Sequence, residues 1–145
     1  MKKRFLVAAM AATLVSPLAA HAEATVYGKI HASADFNSSD TAADDAFEIN
    51  NRSSRLGVKG SEDLGGGLKA VYKMEFGIEI DDSSKDNVTA RNQYVGLSGA
   101  MGTVLLGRHD TPLKMAQGKF DEFNDTVGDM GAVIDGETRA ENVIA

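Results

Sequence analysis

Carboxylates crowd one stretch of the chain, residues 107–131, which reads GRHDTPLKMAQGKFDEFNDTVGDMG. Its acids are Asp110, Asp121, Glu122, Asp125 and Asp129. Such a cluster can bind a metal ion, exchange protons with a substrate, or set up an electric field across a water-filled space. The stretch is too rich in glycine and charge to form a buried strand. A polar loop of about 30 residues is unusually long for a compact domain, and such loops are more often functional than filler.

Metal binding and acid/base catalysis lack their usual motifs in this sequence. His109 and Asp110 suggest such a site, but no HExxH, GxSxG or CxxC pattern occurs. The run GGGLK at residues 65–69 lacks the Gly-Lys-Ser/Thr ending of a phosphate loop, and residues 81–86 do not have calcium-loop spacing. We therefore predict that the protein is not an enzyme and has neither a metal site nor a cofactor.

The first 22 residues have the pattern of a signal peptide. A basic start is followed by an apolar segment at residues 5–15 and by Ala20-His21-Ala22 as a cleavage site. Export is therefore predicted. Removing this leader takes three of the fifteen basic residues and none of the twenty-one acidic ones, which leaves a net charge of −9. That balance argues against nucleic acid as a partner. Cysteine is absent, which excludes the disulfide-rich class of exported domains.

The segments that must position the acidic loop alternate apolar and polar residues. Residues 25–37, TVYGKIHASADFN, place Val26, Ile30 and Phe36 on one face and Lys29 on the other. The same alternation marks residues 67–80, and residues 91–98 and 103–108 are read as two further strands; residues 138–145 open a sixth. In residues 47–60 the apolar parity changes, which predicts a bulge or a strand start near Arg52.

Long polar loops and tight turns connect these strands in turn. Residues 38–45 and 81–89 are predicted loops, whereas residues 61–67 and 99–102 are predicted tight turns. Strands longer than the globular average of about 5 or 6 residues, with charged polar faces and tight turns on one rim, favour a membrane barrel over a soluble sheet. An exported small barrel or adhesin that attaches through loops such as residues 38–45 is the alternative.

Three runs resemble the opening strands of the Gram-negative general porins: VYGKIHASADF, SRLGVKGSEDLGGGLKAVYKMEF and ARNQYVGLSGAMGTVLLGRHDTP. The resemblance covers residues 23–145 in order. It implies an all-β fold, an antiparallel up-and-down transmembrane barrel with 16 strands when complete, of which this chain would hold the N-terminal third. It also implies an outer-membrane channel for passive diffusion of small hydrophilic solutes and ions, in contact with lipid and assembled as a homotrimer.

In that family the third loop folds inward, and its acids face bases on the wall across a constriction. Carried over to this sequence, the loop is residues 109–137. The resemblance assigns two sets of residues, the wall bases Lys29, Arg55, Arg91 and Arg139, and the loop acids Asp121, Glu122 and Asp125, with Asp129 as a further candidate. Strand parity separately places Lys29 and Arg55 on polar faces. The alternatives are that the bases are ordinary solvated wall residues and that the acids form an exposed loop.

The resemblance also leads us to expect that this chain is a fragment or a truncated product that does not conduct alone. Five strands and the beginning of a sixth leave unpaired edges, which are costly in lipid.

Overall fold

The computed structural model describes residues 23–37, 46–82 and 86–145. The predicted signal peptide, the predicted loop at residues 38–45 and the centre of the loop at residues 81–89 lie outside these ranges. The described chain is built almost entirely of strands. In order they are β1 (Glu23–Lys29), β2 (Ala32–Asn37), β3 (Ala46–Asn51), β4 (Arg55–Gly65), β5 (Leu68–Ile78), β6 (Val88–Gly99), β7 (Gly102–Asp110) and β8 (Arg139–Ile144).

Within residues 23–37, 46–82 and 86–145, helical structure is confined to the connection between β7 and β8. It consists of the short helix α1 (Pro112–Gln117) and a 3₁₀ turn (Met130–Ala132). In the part of the chain that the structure describes, no helix is long and apolar enough to cross a membrane.

Six strands form one antiparallel sheet in the order β1-β4-β5-β6-β7-β8. Strands β2 and β3 pair with each other and extend the hairpin of β1 and β4. Apart from this extension, each strand pairs with the strand that follows it in the chain. The fold therefore has the up-and-down order that the alternating loops and turns predicted, and the predicted sixth strand is β8. Within the described residues β1 and β8 are the edges, so the sheet is open.

Near Arg52, where the sequence predicted a bulge or a strand start, the structure has a bulge followed by the start of β4 at Arg55. Three residues, Arg52 to Ser54, stand opposite two, Ile30 and His31, between the pairs Lys29↔Arg55 and Ala32↔Asn51. Ser54 fills the irregularity and is 1% exposed. Its hydroxyl accepts from the His31 N–H at 2.9 Å and donates to the His31 carbonyl at 3.2 Å. The bulge changes the parity of the chain, so Lys29 and Arg55 lie side by side on the same face.

The first tight turn is shorter than residues 61–67. Ser61, Glu62 and Asp63 still pair with Val71, Ala70 and Lys69, so β4 runs on to Gly65. The turn itself is Gly66–Gly67, where φ is 63° and 79°. These values lie in the left-handed region that glycine adopts without strain. Residues 61–65 were wrongly predicted as turn because they are mostly polar, and strands near the rim also carry polar residues.

The two faces of the sheet have opposite character. Apolar side chains such as Val26, Ile30, Met74 and Val95 point outward, and Ile30 is 85% exposed. None of the apolar side chains in the described residues is buried, and the buried side chains are all polar: Ser54, Glu75, Asn92 and Gln117. A water-soluble sheet buries its apolar face. The observed arrangement suits hydrocarbon outside and water inside, as in a transmembrane barrel wall.

The outward face should contact lipid. The sequence has no cysteine, so spin labels can be placed at Met74→Cys and Val95→Cys in the complete reading-frame product, reconstituted in vesicles. We expect both labels to be relaxed by oxygen dissolved in the bilayer, whereas a label at Lys73→Cys on the polar face should respond to a water-soluble nickel complex. Protection of the Met74 and Val95 labels from both reagents would contradict the assignment of the faces.

Ser54→Ala should destabilise the fold through the bulge. The substitution leaves the His31 N–H without its partner beside the buried residue 54, which costs roughly 1–3 kcal/mol. The His31 carbonyl keeps its hydrogen bond from the Arg52 N–H at 2.8 Å. Urea unfolding followed by far-ultraviolet circular dichroism measures the decrease in the free energy of unfolding. Ser98→Ala is the control, because the Ser98 hydroxyl bonds to Thr103 at an exposed position. Equal effects of the two substitutions would contradict a special role for Ser54.

Candidate functional site

The connection between β7 and β8, residues 111–138, forms a compact loop closed at its base. Thr111 caps α1 by accepting a hydrogen bond from the Lys114 N–H at 3.3 Å, and Pro112 supplies a first helical residue with a preset φ. Thr111 N–H donates to the Thr138 carbonyl at 3.1 Å. Lys114 Nζ lies 2.5 Å from Glu137 Oε2, which joins the outgoing and returning arms of the loop.

Two carboxylates shape the tip of this loop. Asp121 accepts hydrogen bonds from the N–H groups of Phe123 and Met130, each at 3.0 Å. Asp129 accepts from Gly131 at 2.7 Å and from Asp125 at 2.9 Å. Oxygens of Asp121, Asp129 and Glu137 lie within 4.8 Å of one another. The backbone donors, together with Lys114, account for this convergence through the fold of the loop itself.

Asp125 connects the loop to the far edge of the sheet. Its Oδ2 lies 2.8 Å from Lys29 Nζ on β1 and 3.5 Å from Arg55 Nη1 on β4. Since the loop leaves the sheet at β7 and β1 is the opposite edge, it crosses the whole polar face. Asp125 itself has φ of 62°, a conformation that Asp tolerates better than most residues, and its N–H is held by Asp129.

The electrostatics at Asp125 favour its charged form. Burial alone would raise the pKa of this carboxyl group, but hydrogen bonds from Lys29 and Ser53 and the charges of Lys29 and Arg55 outweigh it. The pKa of Asp125 is therefore lower than its ordinary value. The ion pair that docks the loop is thus present at neutral pH and persists into moderately acidic solution.

The other two predicted wall bases pair with acids of the wall. Arg91 Nε lies 2.8 Å from Glu75 Oε1 on the neighbouring strand β5. Arg139 Nε lies 2.9 Å from Asp110 Oδ1, a close ion contact whose geometry is not that of an aligned hydrogen bond. Neither of these arginines contacts a predicted loop acid. Their charges are compensated within the sheet.

The predicted loop acids have three different environments. Asp125 meets the wall bases Lys29 and Arg55, whereas Asp121 binds backbone N–H groups of its own loop. Glu122 is exposed and makes no ion pair with a described residue. The further candidate Asp129 also binds its own loop. Which of them act in a constriction stays a prediction.

A cavity of about 520 Å³ lies between the loop and the sheet. Three of the four predicted bases, Arg55, Arg91 and Arg139, line it together with Asp125. Its charged lining as a whole comprises five bases and four acids: Arg55, Arg91, Lys114, Lys119, Arg139, Asp110, Asp125, Asp129 and Glu137. The structure therefore gathers charges of both signs around one cavity.

Four of the charged residues that organise this region were not among the predicted constriction residues. They are Glu75, Asp110, Lys114 and Glu137. Strand parity did place Glu75 on the polar face, beside Lys73, and this was the available signal. The pairing of Lys114 with Glu137 joins positions 23 apart across an irregular loop, which no periodic pattern reveals.

His109 and Asp110, which suggested a metal or acid/base site, have structural partners. His109 Nδ1 lies 2.7 Å from the backbone carbonyl oxygen of Asp110, and its ring stacks at a tilt on Tyr94. The Asp110 carboxylate accepts from Asn92 at 2.7 Å and contacts Arg139. Both side chains thus tie β7 to its neighbouring strands.

An antiparallel sheet that is apolar outside and polar inside is the kind of sheet that forms the wall of a membrane barrel. The sequence profile of the Gram-negative porins matches residues 7–144. The chain belongs to this family, and its place is the bacterial outer membrane.

Proteins with similar sequences come from several bacteria. The major outer membrane protein P.IB of Neisseria gonorrhoeae is 36% identical over 121 residues, which is 79% of this chain and 34% of that protein. The form from Neisseria meningitidis strain H44/76 is 36% identical over 123 residues, 79% of this chain and 35% of the relative. Outer membrane porin protein 32 of Delftia acidovorans is 33% identical over 130 residues, 87% and 37% respectively. The chain spans about a third of the length of these relatives.

Asp125→Asn should release the tip of the loop from the wall. The substitution removes the charge that Lys29 and Arg55 meet, and hydrogen bonds to charged groups contribute roughly 1.5–3 kcal/mol. A spin label at Glu122→Cys should become more mobile in the variant. In the parent, because the pKa of Asp125 is lowered, the label should stay immobile as the pH falls to the ordinary Asp value near 4 and gain mobility only below it.

Asp135→Asn is the matched control, since Asp135 is an exposed acid of the same loop that makes no ion pair with a described residue. Its label mobility should equal that of the parent. Equal mobility in the Asp125 and Asp135 variants would contradict docking through Asp125.

Proposed function

We propose that the complete protein forms a water-filled channel through the outer membrane for the passive diffusion of small hydrophilic solutes and ions. The observation that carries this proposal is the inversion of the sheet: apolar side chains face outward and the buried side chains are polar. Family membership supports it. The relatives are named as outer membrane proteins or porins, which also argues against the enzymatic alternative.

The loop between β7 and β8 is the constriction of this channel. Asp125 of this loop contacts Lys29 and Arg55 on the wall. The cavity that Asp125 and Arg55 border is also lined by Arg91 and Arg139. In this proposal Asp125 is the principal acid of the constriction. Asp121 gives the loop tip its shape, and the exposed Glu122 adds negative charge near the passage.

Opposed charges across a narrow passage act on solutes by size and by charge. Acids on the loop and bases on the wall create a field transverse to the direction of diffusion, which orients water and dipolar solutes. Low-dielectric surroundings reduce screening, so single charges change the local ion concentration. The balance of fixed charges, and therefore ion preference, depends on individual side chains of this region.

The assembled channel is proposed to be a homotrimer surrounded by outer-membrane lipid. The uncovered apolar face of the described strands supplies surface for both lipid and neighbouring subunits. Migration of the unheated protein in a mild detergent gel, compared with the heated protein, measures the number of subunits.

Planar-bilayer recording of the complete reading-frame product tests the channel and its constriction. The parent should give stable conductance steps. Asp125→Asn should raise the anion-to-cation permeability ratio by roughly two- to fivefold, the effect expected of one unit charge at about 4–8 Å in water. Lys29→Gln should lower the ratio, because it removes a positive charge from the same place. Reversal potentials in a salt gradient give both values.

Glu62→Gln is the control for the loss of one negative charge. Glu62 shares the outward parity of Leu56 and Val58 on β4, so its side chain lies outside the channel interior. The reversal potential of the Glu62→Gln variant should therefore match that of the parent. Absence of conductance steps in the parent would contradict the channel. Conductance steps in all variants, with the same reversal potential in each, would contradict the proposed constriction but would still be consistent with the channel.

A further inference from the structure

The contact that docks Asp125 lies at the bulge where β1 and β4 meet β2 and β3. Lys29 is the last residue of β1, Arg55 is the first residue of β4, and Ser53 lies inside the bulge. All three bind the Asp125 carboxylate: Lys29 Nζ at 2.8 Å, Arg55 Nη1 at 3.5 Å, and Ser53 by a side-chain hydrogen bond. We call these three residues the docking site. The position of the loop tip therefore depends on the conformation of the bulge.

The bulge holds Ser53 in a conformation that serine adopts uncommonly. Its φ of 56° lies in the left-handed region. A residue in this region keeps its conformation where the surrounding structure fixes it. On the side of the main sheet the next residue does so: the Ser54 carbonyl accepts from the Ile78 N–H of β5 at 2.9 Å, and the Ser54 hydroxyl binds His31.

Arg52 fixes the other side of the bulge. Its N–H donates to the His31 carbonyl at 2.8 Å. Its side chain reaches β2, where Nε donates to Ser33 Oγ at 2.7 Å and Nη2 pairs with the Asp35 carboxylate. Asn50 on β3 donates to the same Asp35 oxygen at 2.8 Å. Hydrogen bonds between ionised groups are stronger than those between neutral groups, so this ion pair holds Arg52 firmly to β2 and β3.

Resting on the constriction proposed above, we infer that the ion pair of Arg52 with Asp35 positions the loop tip from the strand pair β2–β3. Neither side chain lines the cavity, and their partners among the described residues all lie on β2 and β3. The pair acts through Ser53, which follows Arg52 in the chain and binds Asp125. Arg52 and Asp35 are thus positioning residues, and the strand pair β2–β3 is coupled to the loop.

A charge-neutral double variant separates positioning from electrostatics. Arg52→Gln with Asp35→Asn removes one charge of each sign, so the net charge of the wall is unchanged. In the complete reading-frame product, a spin label at Glu122→Cys reports the ratio of undocked to docked loop. We expect this ratio to rise roughly two- to tenfold, the effect of losing about one net hydrogen bond. In an Asp125→Asn background the same two substitutions should have no further effect, because the contact that they support is already lost.

Arg108→Gln with Glu141→Gln is the matched control. This pair also consists of one base and one acid, and Arg108 Nη1 lies 2.6 Å from Glu141 Oε1 between β7 and β8. Neither residue lines the cavity. The label should give the same ratio of undocked to docked loop as in the parent.

Two results would overturn the inference: an unchanged ratio in the folded double variant, or an equal rise with and without Asp125→Asn, which would show a general loosening of the wall. Where the double variant does not fold, Ser33→Ala takes its place, since it removes only the acceptor of Arg52 Nε. It should raise the ratio by a smaller factor, and no rise would overturn the inference. The label measures docking without current, so loss of conductance steps in the parent would contradict the channel alone.

Discussion

The structure depends on one constraint: every backbone polar group in the hydrocarbon layer must find a partner within the protein. Antiparallel pairing from β1 to β8 meets this demand along the strands, and side chains then divide between an oily outside and a wet inside. Because no apolar core exists among the described residues, polar contacts take over the task of fixing the inner face. Ser54 closes the bulge, and Glu75 holds cations from its own and a neighbouring strand.

The strands and their faces were predictable from the sequence because both follow a period of two residues. Val26, Ile30 and Phe36 alternate with Tyr27 and Lys29, and the structure exposes the first set outward. The bulge was visible as a change of parity near Arg52. The prediction that Lys29 and Arg55 face loop acids rested on the resemblance together with strand parity. In the structure Asp125 contacts both bases.

The internal arrangement of the loop was not predictable in the same way. Asp121 and Asp125 are four positions apart in a run of similar acids, yet one binds backbone N–H groups and the other reaches the far edge of the sheet. This difference depends on backbone conformations such as the φ of 62° at Asp125, which composition does not encode. Similarly, Arg91 was assigned through the resemblance, while its partner Glu75 lies at the register shift between β5 and β6, which the alternation of residues does not reveal.

The span of the contact between Lys29 and Asp125 has a consequence for the order of assembly. These residues are 96 positions apart, whereas most strands pair with a close neighbour in the chain. Hairpins with short connections close at low entropic cost and form early, but the distant contact requires β1 to β7 to be in register first. We therefore expect the loop to dock onto β1 and β4 only after the strands from β1 to β7 have paired.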